Sequence, residues 1–365
     1  MRIVIKLGTS TLTGGTPHLA LPVLIDLARQ IQILQAAGHQ VMLVSSGAIA
    51  SGREKLGFPQ LPKDIPAKQM LAAIGQPHLM SLYGQLFGHY GLTIAQILLT
   101  HSDFSRRAQY LNARNTLLAL LDHNVIAIVN ENDTIAVEEI RVGDNDNLSA
   151  LVANLVDADL LILLTDQSGL FTADPRTNPD SQLVTEVSTT RIPDHLWKAA
   201  GGSGSVLGTG GMVTKLQAAD LARRAGVTCV IASGRETDVL VRLINGEKLG
   251  TRFLPVVTTL ESRKRYILSA RRAPGLVKVD EGAAKALKRG GSLLPVGVVA
   301  VSGKFERGDT VKVVNPQERE IARGIVNYSD VDLSQLLRRS SDEIESILGY
   351  TFGDEVIHRN NLVVL

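Results

Sequence analysis

The sequence predicts an α/β fold: an open, mainly parallel sheet sandwiched by helices, followed by a small β-rich C-terminal domain. Three observations carry this. Over the first 235 residues, short aliphatic runs alternate with longer amphipathic ones, the rhythm of strands joined by helical crossovers. The hydrophobic share is 44% while aromatic residues supply only 4%, and strands buried on both faces are built from Val, Ile and Leu. From about residue 236 the rhythm changes to short alternating runs punctuated by Gly and Asn-Pro turn signals.

In chain order, the strands predicted for the first domain are residues 3–7, 41–45, 93–99, 125–129, 160–165 and 228–232. Between the first two, Leu24, Leu27, Ile31 and Leu34 recur at the spacing of one helix face. Pro22 suits the first turn of that helix, where an N–H has no intrahelical acceptor, and Gly38 suits the residue just past its end. Further helices are predicted over 104–121, 148–156 and 212–225. Residues 261–272 hold five Lys/Arg against one Glu and read as a connector. Beyond it, strands are predicted at 276–279, 296–301, 310–314 and 321–326, with one or two helices. Turns are marked by Gly303, Gly308-Asp309, Asn315-Pro316 and Gly324. The expected limits are 1–255 for the first domain, 256–272 for a linker and 273–361 for the second domain.

Bulk chemistry narrows the function. The formal net charge of +2 gives no electrostatic reason to expect nucleic acid or an acidic membrane. No stretch approaches the roughly 18 uncharged apolar residues that a membrane span requires. The opening MRIVIKLGTS reads as a strand and not as a signal peptide, so a cytoplasmic location is expected. Cys229 is the single cysteine, which rules out an internal disulfide and a paired-cysteine zinc site. Its flanks Val227, Thr228, Val230 and Ile231 make it a strand residue of the core.

Five clusters carry chemistry. Lys6-Leu7-Gly8-Thr9-Ser10 ends a hydrophobic strand. A cation followed by glycine there sets an ammonium beside backbone N–H groups that phosphate oxygens can approach, although a surface lysine would look the same. Ser45-Ser46-Gly47-Ala48 leads from a strand into small residues, either an ordinary turn or a helix N-terminus facing an anion. Asn130-Glu131-Asn132-Asp133-Thr134 and Gly143-Asp144-Asn145-Asp146-Asn147 together hold eight Asn, Asp or Glu residues. Turns and helix caps use these residue types too. Their density favours a polar pocket for an amino acid's ammonium group and for orienting cations. Leu164-Thr165-Asp166-Gln167-Ser168-Gly169 follows another strand, and Gly208-Thr209-Gly210-Gly211-Met212-Val213-Thr214-Lys215 runs into a helix. The last could line an anion site with backbone N–H groups and a second lysine. A Walker-type loop is absent, since Ser302-Gly303-Lys304 is followed by Phe305, and Gly202-Ser203-Gly204 lacks a third glycine at Leu207. The histidines show no zinc-protease spacing.

Taken together, VIKLGTS (4–10), VSSGAIASGRE (44–54), KQMLAAIGQ (68–76), YLNARNT (110–116), VNENDT (129–134), VGDNDNLSA (142–150), LLTDQSGLFTADPR (163–176) and GTGGMVTKLQAA (208–219) resemble the amino acid kinase family. The similarity is greatest to its bacterial members that phosphorylate glutamate and carry a C-terminal PUA domain. The resemblance implies the amino acid kinase fold, ATP with Mg2+ as the phosphoryl donor, and L-glutamate as acceptor. It implies direct in-line transfer to the γ-carboxylate, yielding an acyl phosphate as the first step of proline biosynthesis. On the matching positions, Lys6 and Lys215 become the lysines that stabilise the transferring phosphoryl group. Asp146 becomes the aspartate that orients them, with Asp144 assisting. Ser46, Asn130, Asp133 and Asn145 become glutamate-binding residues. Lys6, Gly8, Thr9, Thr165, Asp166, Thr209, Gly210, Gly211, Met212, Val213, Thr214 and Lys215 become ATP-binding residues, with no metal held by the protein alone.

The resemblance further implies inhibition by proline, a homo-oligomer with a tetramer as the candidate state, and a separate reductase to consume the labile product. The segment from Val279 through Leu293 to Asp309 is similar to PUA domains, which elsewhere bind RNA. Residues 273–361 carry 12 Lys/Arg and 13 Asp/Glu, a poor footprint for a polyanion. RNA is therefore not an expected partner, and a structural or regulatory role is. Two other readings stay open: a kinase of the same fold acting on another carboxylate or carbamate, and a non-catalytic RNA-binding protein.

Overall fold

The structure, a computed structural model, describes residues 1–136, 145–201, 211–258, 261, 267–268 and 274–365. The chain packs as two units, Met1–Phe104 with Ala113–Thr259, and Ser105–Asn112 with Leu260–Leu365.

The first unit begins with β1 (Arg2–Leu7), α1 (Thr9–Thr13), α2 (Leu21–Ala36), β2 (Gln40–Ser45), α3 (Ala48–Lys55) and α4 (Ile65–Gly88). There follow β3 (Ile94–Leu99), α5 (His101–Ser105), α6 (Arg107–Asp122, whose residues up to Asn112 belong to the second unit), β4 (Ile126–Glu131), α7 (Asn145–Leu155) and β5 (Leu160–Thr165). It closes with β6 (Glu186–Val187), α8 (Asp194–Ala199), α9 (Met212–Arg224), β7 (Thr228–Ser233), α10 (Val239–Ile244) and β8 (Thr251–Phe253). Among the described residues, eight strands form one sheet in the order β3-β4-β2-β1-β5-β7-β8-β6. All neighbours run parallel except β7 and β8. The six predicted strands are all present, within a residue or two of their expected ends. β1, β2, β4, β5 and β7 are buried over nearly their whole length, which is why they read as aliphatic runs rather than alternations.

Helix α2 turns Leu24, Leu27, Ile31 and Leu34 into the core, with Pro22 in its first turn and Gly38 past its end at φ 81°. The predicted helix 104–121 is two pieces. The Asp103 carboxylate accepts from the Thr100 N–H at 2.7 Å and its hydroxyl at 2.8 Å, which caps a short α5 before α6 starts at Arg107. The 24-residue α4 was not anticipated. Its interior holds Gly75, Pro77 and Gly84, residues that locally disfavour a helix, and tertiary packing overrides them. The Asp64 carboxylate caps it by accepting from the Ala67 N–H at 2.9 Å. Helices α3 and α4 meet backbone to backbone. A Cβ on Gly52 would lie 2.0 Å from the Leu71 carbonyl oxygen, and one on Gly75 1.8 Å from that of Ala48.

The second unit contains β9 (Gly275–Val279), α11 (Glu281–Lys288), β10 (Val298–Gly303), β11 (Thr310–Val314), β12 (Glu320–Ile325), α12 (Asp330–Gln335), α13 (Ile344–Leu348) and β13 (Leu362–Val364). Among the described residues the strand order is β10-β9-β11-β12-β13, with only the β9–β11 pair parallel. Its own core is built on Val277, Val279, Leu287, Val311, Val313 and Tyr328. Residues 295–297 form a 3-10 turn rather than the start of a strand, and β13 lies beyond the expected domain end at 361. Ser105–Asn112 packs with this unit: Leu111 meets Ile267, Ile325 and Val363, Arg107 pairs with Asp309 at 2.8 Å, and Arg307 donates to Asn112. Helix periodicity marks an apolar face but not its partner, so by sequence alone this segment falls within the expected first domain, and the packing corrects that. Most of the expected linker lies outside the described residues.

Candidate active site

The parallel register brings the carboxyl ends of the strands level. Leu7 lies beside Ser45 and Leu164, Val44 beside Val129, and Thr165 beside Ser233. The strand following β1 in the chain, β2, is on one side of it and β5 is on the other, so the strand order reverses there. Ligands of open α/β sheets bind at such a crevice.

Lys6 occupies the penultimate position of β1 and is 4% exposed. Its Nζ lies 2.6 Å from Oδ1 of Asp146, a fully buried residue in the first turn of α7. Lys215 on α9 approaches Oδ2 of the same carboxylate at 3.2 Å, and the Thr214 hydroxyl donates to Oδ2 at 2.7 Å. Two buried ammonium groups are thus tied by one aspartate. Burial pushes the Asp146 carboxyl up, but Lys6, Lys215 and the hydrogen bonds outweigh it, and its pKa lies below the ordinary carboxylate value. Lys215 is lowered, first by loss of solvent, against the pull of Asp146 and with the push of Lys6. Gly8 leaves the strand end clear: a Cβ there would stand 3.6 Å from the Lys6 amine.

Beside the charges lies a chain of amides. Asn145, preceding Asp146, donates to Ser46 Oγ at 2.9 Å and to Asn130 Oδ1 at 3.0 Å. Asn130 in turn donates to Gln76 Oε1 at 2.9 Å. Asp133 and Glu131 are buried close by in the chain. Burial pushes the Asp133 carboxyl up to about 6, and its Oδ1 has no hydrogen-bond partner among the described residues. Both acids line a cavity of about 230 Å³ with Ala48, Ala72, Gln76 and Gln96.

A larger cavity of about 660 Å³ is walled by Ser10, Thr165, Asp166, Gly211, Met212 and Lys215, a size that suits a nucleotide. Thr9 and Val213 stand in the first turns of α1 and α9, outside that wall. Asp144, Thr209 and Gly210 lie outside the described residues. Gln76 and Arg176 close two of the stretches that carry the family resemblance but were not singled out as site residues, nor were His195 and Lys198; Arg176, His195 and Lys198 add basic groups to the larger cavity. Among the described residues no three His, Cys, Asp or Glu side chains converge to hold a metal. Asp146 is already engaged by three donors. Asp166 on the wall of the larger cavity is a carboxylate able to face a cation there.

Residues 1–233 match the model of the amino acid kinase family, and residues 275–348 match that of the PUA domain. The chain is 54% identical to the glutamate 5-kinase of Herpetosiphon aurantiacus, over 100% of this chain and 98% of that one. It is also 54% identical to the glutamate 5-kinases of Photobacterium profundum and Deinococcus radiodurans, again over 100% of this chain and over 96% and 100% of theirs. Among the described residues no helix is long and apolar enough to cross a membrane.

Proposed function

The chain belongs to the amino acid kinase family, among the glutamate 5-kinases, and from this premise we propose that it transfers the γ-phosphoryl group of ATP to the side-chain carboxylate of L-glutamate. The product is L-glutamyl 5-phosphate, and the step opens proline biosynthesis. The observation that carries the reading is the pair of buried lysines held by Asp146, with Lys215 on the wall of the nucleotide-sized cavity.

The acceptor carboxylate has an ordinary pKa near 4.3 and is an anion at neutral pH, so no general base is required. Its oxygen attacks the γ-phosphorus in line as the bond from that phosphorus to the bridging oxygen of ADP breaks. The problem for the protein is repulsion between anions and charge build-up on the phosphoryl oxygens, met by positioning and cationic stabilisation. Lys6 and Lys215 supply the charge, and Asp146 fixes where both amines point, with Asp144 assisting. Ser46, Asn130, Asp133 and Asn145 hold glutamate, an ionised Asp133 facing its ammonium. Gly8, Thr9, Thr165, Asp166 and the segment from Thr209 to Thr214 hold ATP together with the lysines. Magnesium carried by ATP would neutralise phosphate charge, with Asp166 facing it.

The same reading includes inhibition by proline at or overlapping the glutamate site, a homo-oligomer such as a tetramer, a cytoplasmic location and a downstream reductase. It keeps a catalytic domain of 1–255 apart from Ser105–Asn112, a linker of 256–272, and a PUA domain from 273 that extends past 361 through β13, in a structural or regulatory role without RNA.

The test is ADP release from Mg-ATP with glutamate, aspartate, N-acetylglutamate or carbamate, with hydroxylamine present to trap acyl phosphate. Glutamate-dependent release with matching hydroxamate, suppressed by proline, is the expected result. Turnover only with another acid would move the substrate assignment, and no turnover from folded protein would overturn the kinase reading.

A further inference from the structure

An amide side chain has an acceptor at one end and donors at the other, so its hydrogen bonds decide which end a ligand meets. Asn130 is held in one state. Its Oδ1 accepts from the Glu131 backbone N–H at 2.9 Å and from Asn145 Nδ2 at 3.0 Å, while its Nδ2 donates to Gln76 Oε1 at 2.9 Å. Asn145 Nδ2 also donates to Ser46 Oγ at 2.9 Å. That bond occupies an acceptor lone pair of Ser46 and leaves its hydroxyl hydrogen to point elsewhere, as a donor to a carboxylate requires.

Gln76 stands apart from the other members of this chain. It lies on α4, whereas Ser46, Asn130 and Asn145 follow or end β2 and β4 or open α7. It is 8% exposed and lines the smaller cavity. Its backbone position is pinned by its neighbour: Gly75 touches the backbone of α3, which opens directly after Ser46 and Gly47. Sheet and helix pair are thereby registered to each other through one glutamine.

We infer that Gln76 is a positioning residue for the amino-acid substrate: its Oε1 acceptor sets the orientation of the Asn130 amide and, through it, of the Asn145 and Ser46 donors. The inference rests on the glutamate reading above. Without the acceptor, the Asn130 Nδ2 would be a buried donor without a partner, and flipping the amide to relieve it would sacrifice the bonds to Glu131 and Asn145.

The experiment compares steady-state kinetics of wild type, Gln76→Met and Gln76→Glu, with thermal shifts induced by glutamate and by ATP. Gln76→Met keeps length and apolar packing but removes the acceptor. It should raise the glutamate KM about tenfold or more, the range of a lost buried hydrogen bond. Its kcat and ATP KM should stay within about twofold, and the glutamate-induced shift should fall while the ATP-induced shift persists. Gln76→Glu keeps the acceptor and should lose less glutamate affinity than Gln76→Met, despite the charge it adds beside Glu131 and Asp133. An unchanged glutamate KM in Gln76→Met overturns the inference, as does a Gln76→Glu as weak as Gln76→Met, or a loss spread equally over both substrates and kcat. If Gln76→Met does not fold, Gln76→Ala, which also lacks the acceptor, is read against the same outcomes. A wild type that turns over no glutamate would instead remove the reading on which the inference stands.

Discussion

Asp146 sits between two ammonium groups and accepts a third hydrogen bond from Thr214, so each lysine has a defined direction before any substrate arrives. Lys6→Ala and Lys215→Ala are each expected to lower kcat about 100- to 1000-fold, the scale on which one preorganised charge-stabilising donor acts. Their glutamate KM should change little, as initial rates at saturating ATP will show. Asp133 makes a pH-dependent contribution of opposite sign to a salt-bridged acid. Its carboxyl is raised by burial from 3.8 to about 6, so between those values the folded state holds a proton that the unfolded chain has lost. That stabilisation is fully present at low pH and is lost as pH rises through about 6. Asp133→Asn should therefore raise Tm more at pH 8 than at pH 5. In the wild type, glutamate KM should climb as pH falls below about 6, because a neutral carboxyl cannot pair with an ammonium. Lys6 was legible because a lysine interrupts an aliphatic strand just before Gly8. Gln76 was not, because an amide within an apolar helix has no spacing of its own, and only its contact with Asn130 gives it a role.

Among the elements, the strands were readable and α4 was not. Runs such as 160–165 are buried on both faces and admit little but aliphatic residues. By contrast, Gly75 and Pro77 argue locally against a helix that exists because Gly52 and Gly75 let two backbones touch. Gly75→Ala would drive a methyl group into the Ala48 carbonyl and the Gly52 amide, at 1.8 and 2.4 Å. Neither backbone atom can yield cheaply. A loss of about 2–3 kcal/mol in unfolding free energy is expected from such overpacking, read as a lower urea midpoint at unchanged slope. The same variant should weaken glutamate more than ATP, since the displaced helix pair carries Gln76 and follows Ser46.

At the scale of the whole molecule, every described residue assigned to substrate or phosphate lies in the first unit, and each unit has its own hydrophobic core. A chain truncated after residue 258 should thus retain glutamate-dependent ADP release. It should also melt at a lower temperature than the full chain, because Leu111 loses Ile325 and Val363. Differential scanning fluorimetry alongside the kinetic assay checks both. The β-rich character of the C-terminal part was visible in its turn signals and short alternating runs. The allegiance of Ser105–Asn112 was not, because Leu111 and Arg107 reveal nothing about their partners until a distant strand and the Asp309 carboxylate are brought beside them.

The shared carboxylate has one more consequence. An acyl phosphate is an acylating agent, and a neutral lysine amine is a nucleophile it would readily modify. Burial draws Lys215 toward the neutral form, and Asp146 opposes that drift. On the glutamate reading, the carboxylate paired with that amine at 3.2 Å would shield it from acylation by the product. Asp146→Asn should accumulate a glutamyl adduct on Lys215 during turnover, visible by peptide mass spectrometry, whereas the wild type passes its reactive product onward with its lysines intact.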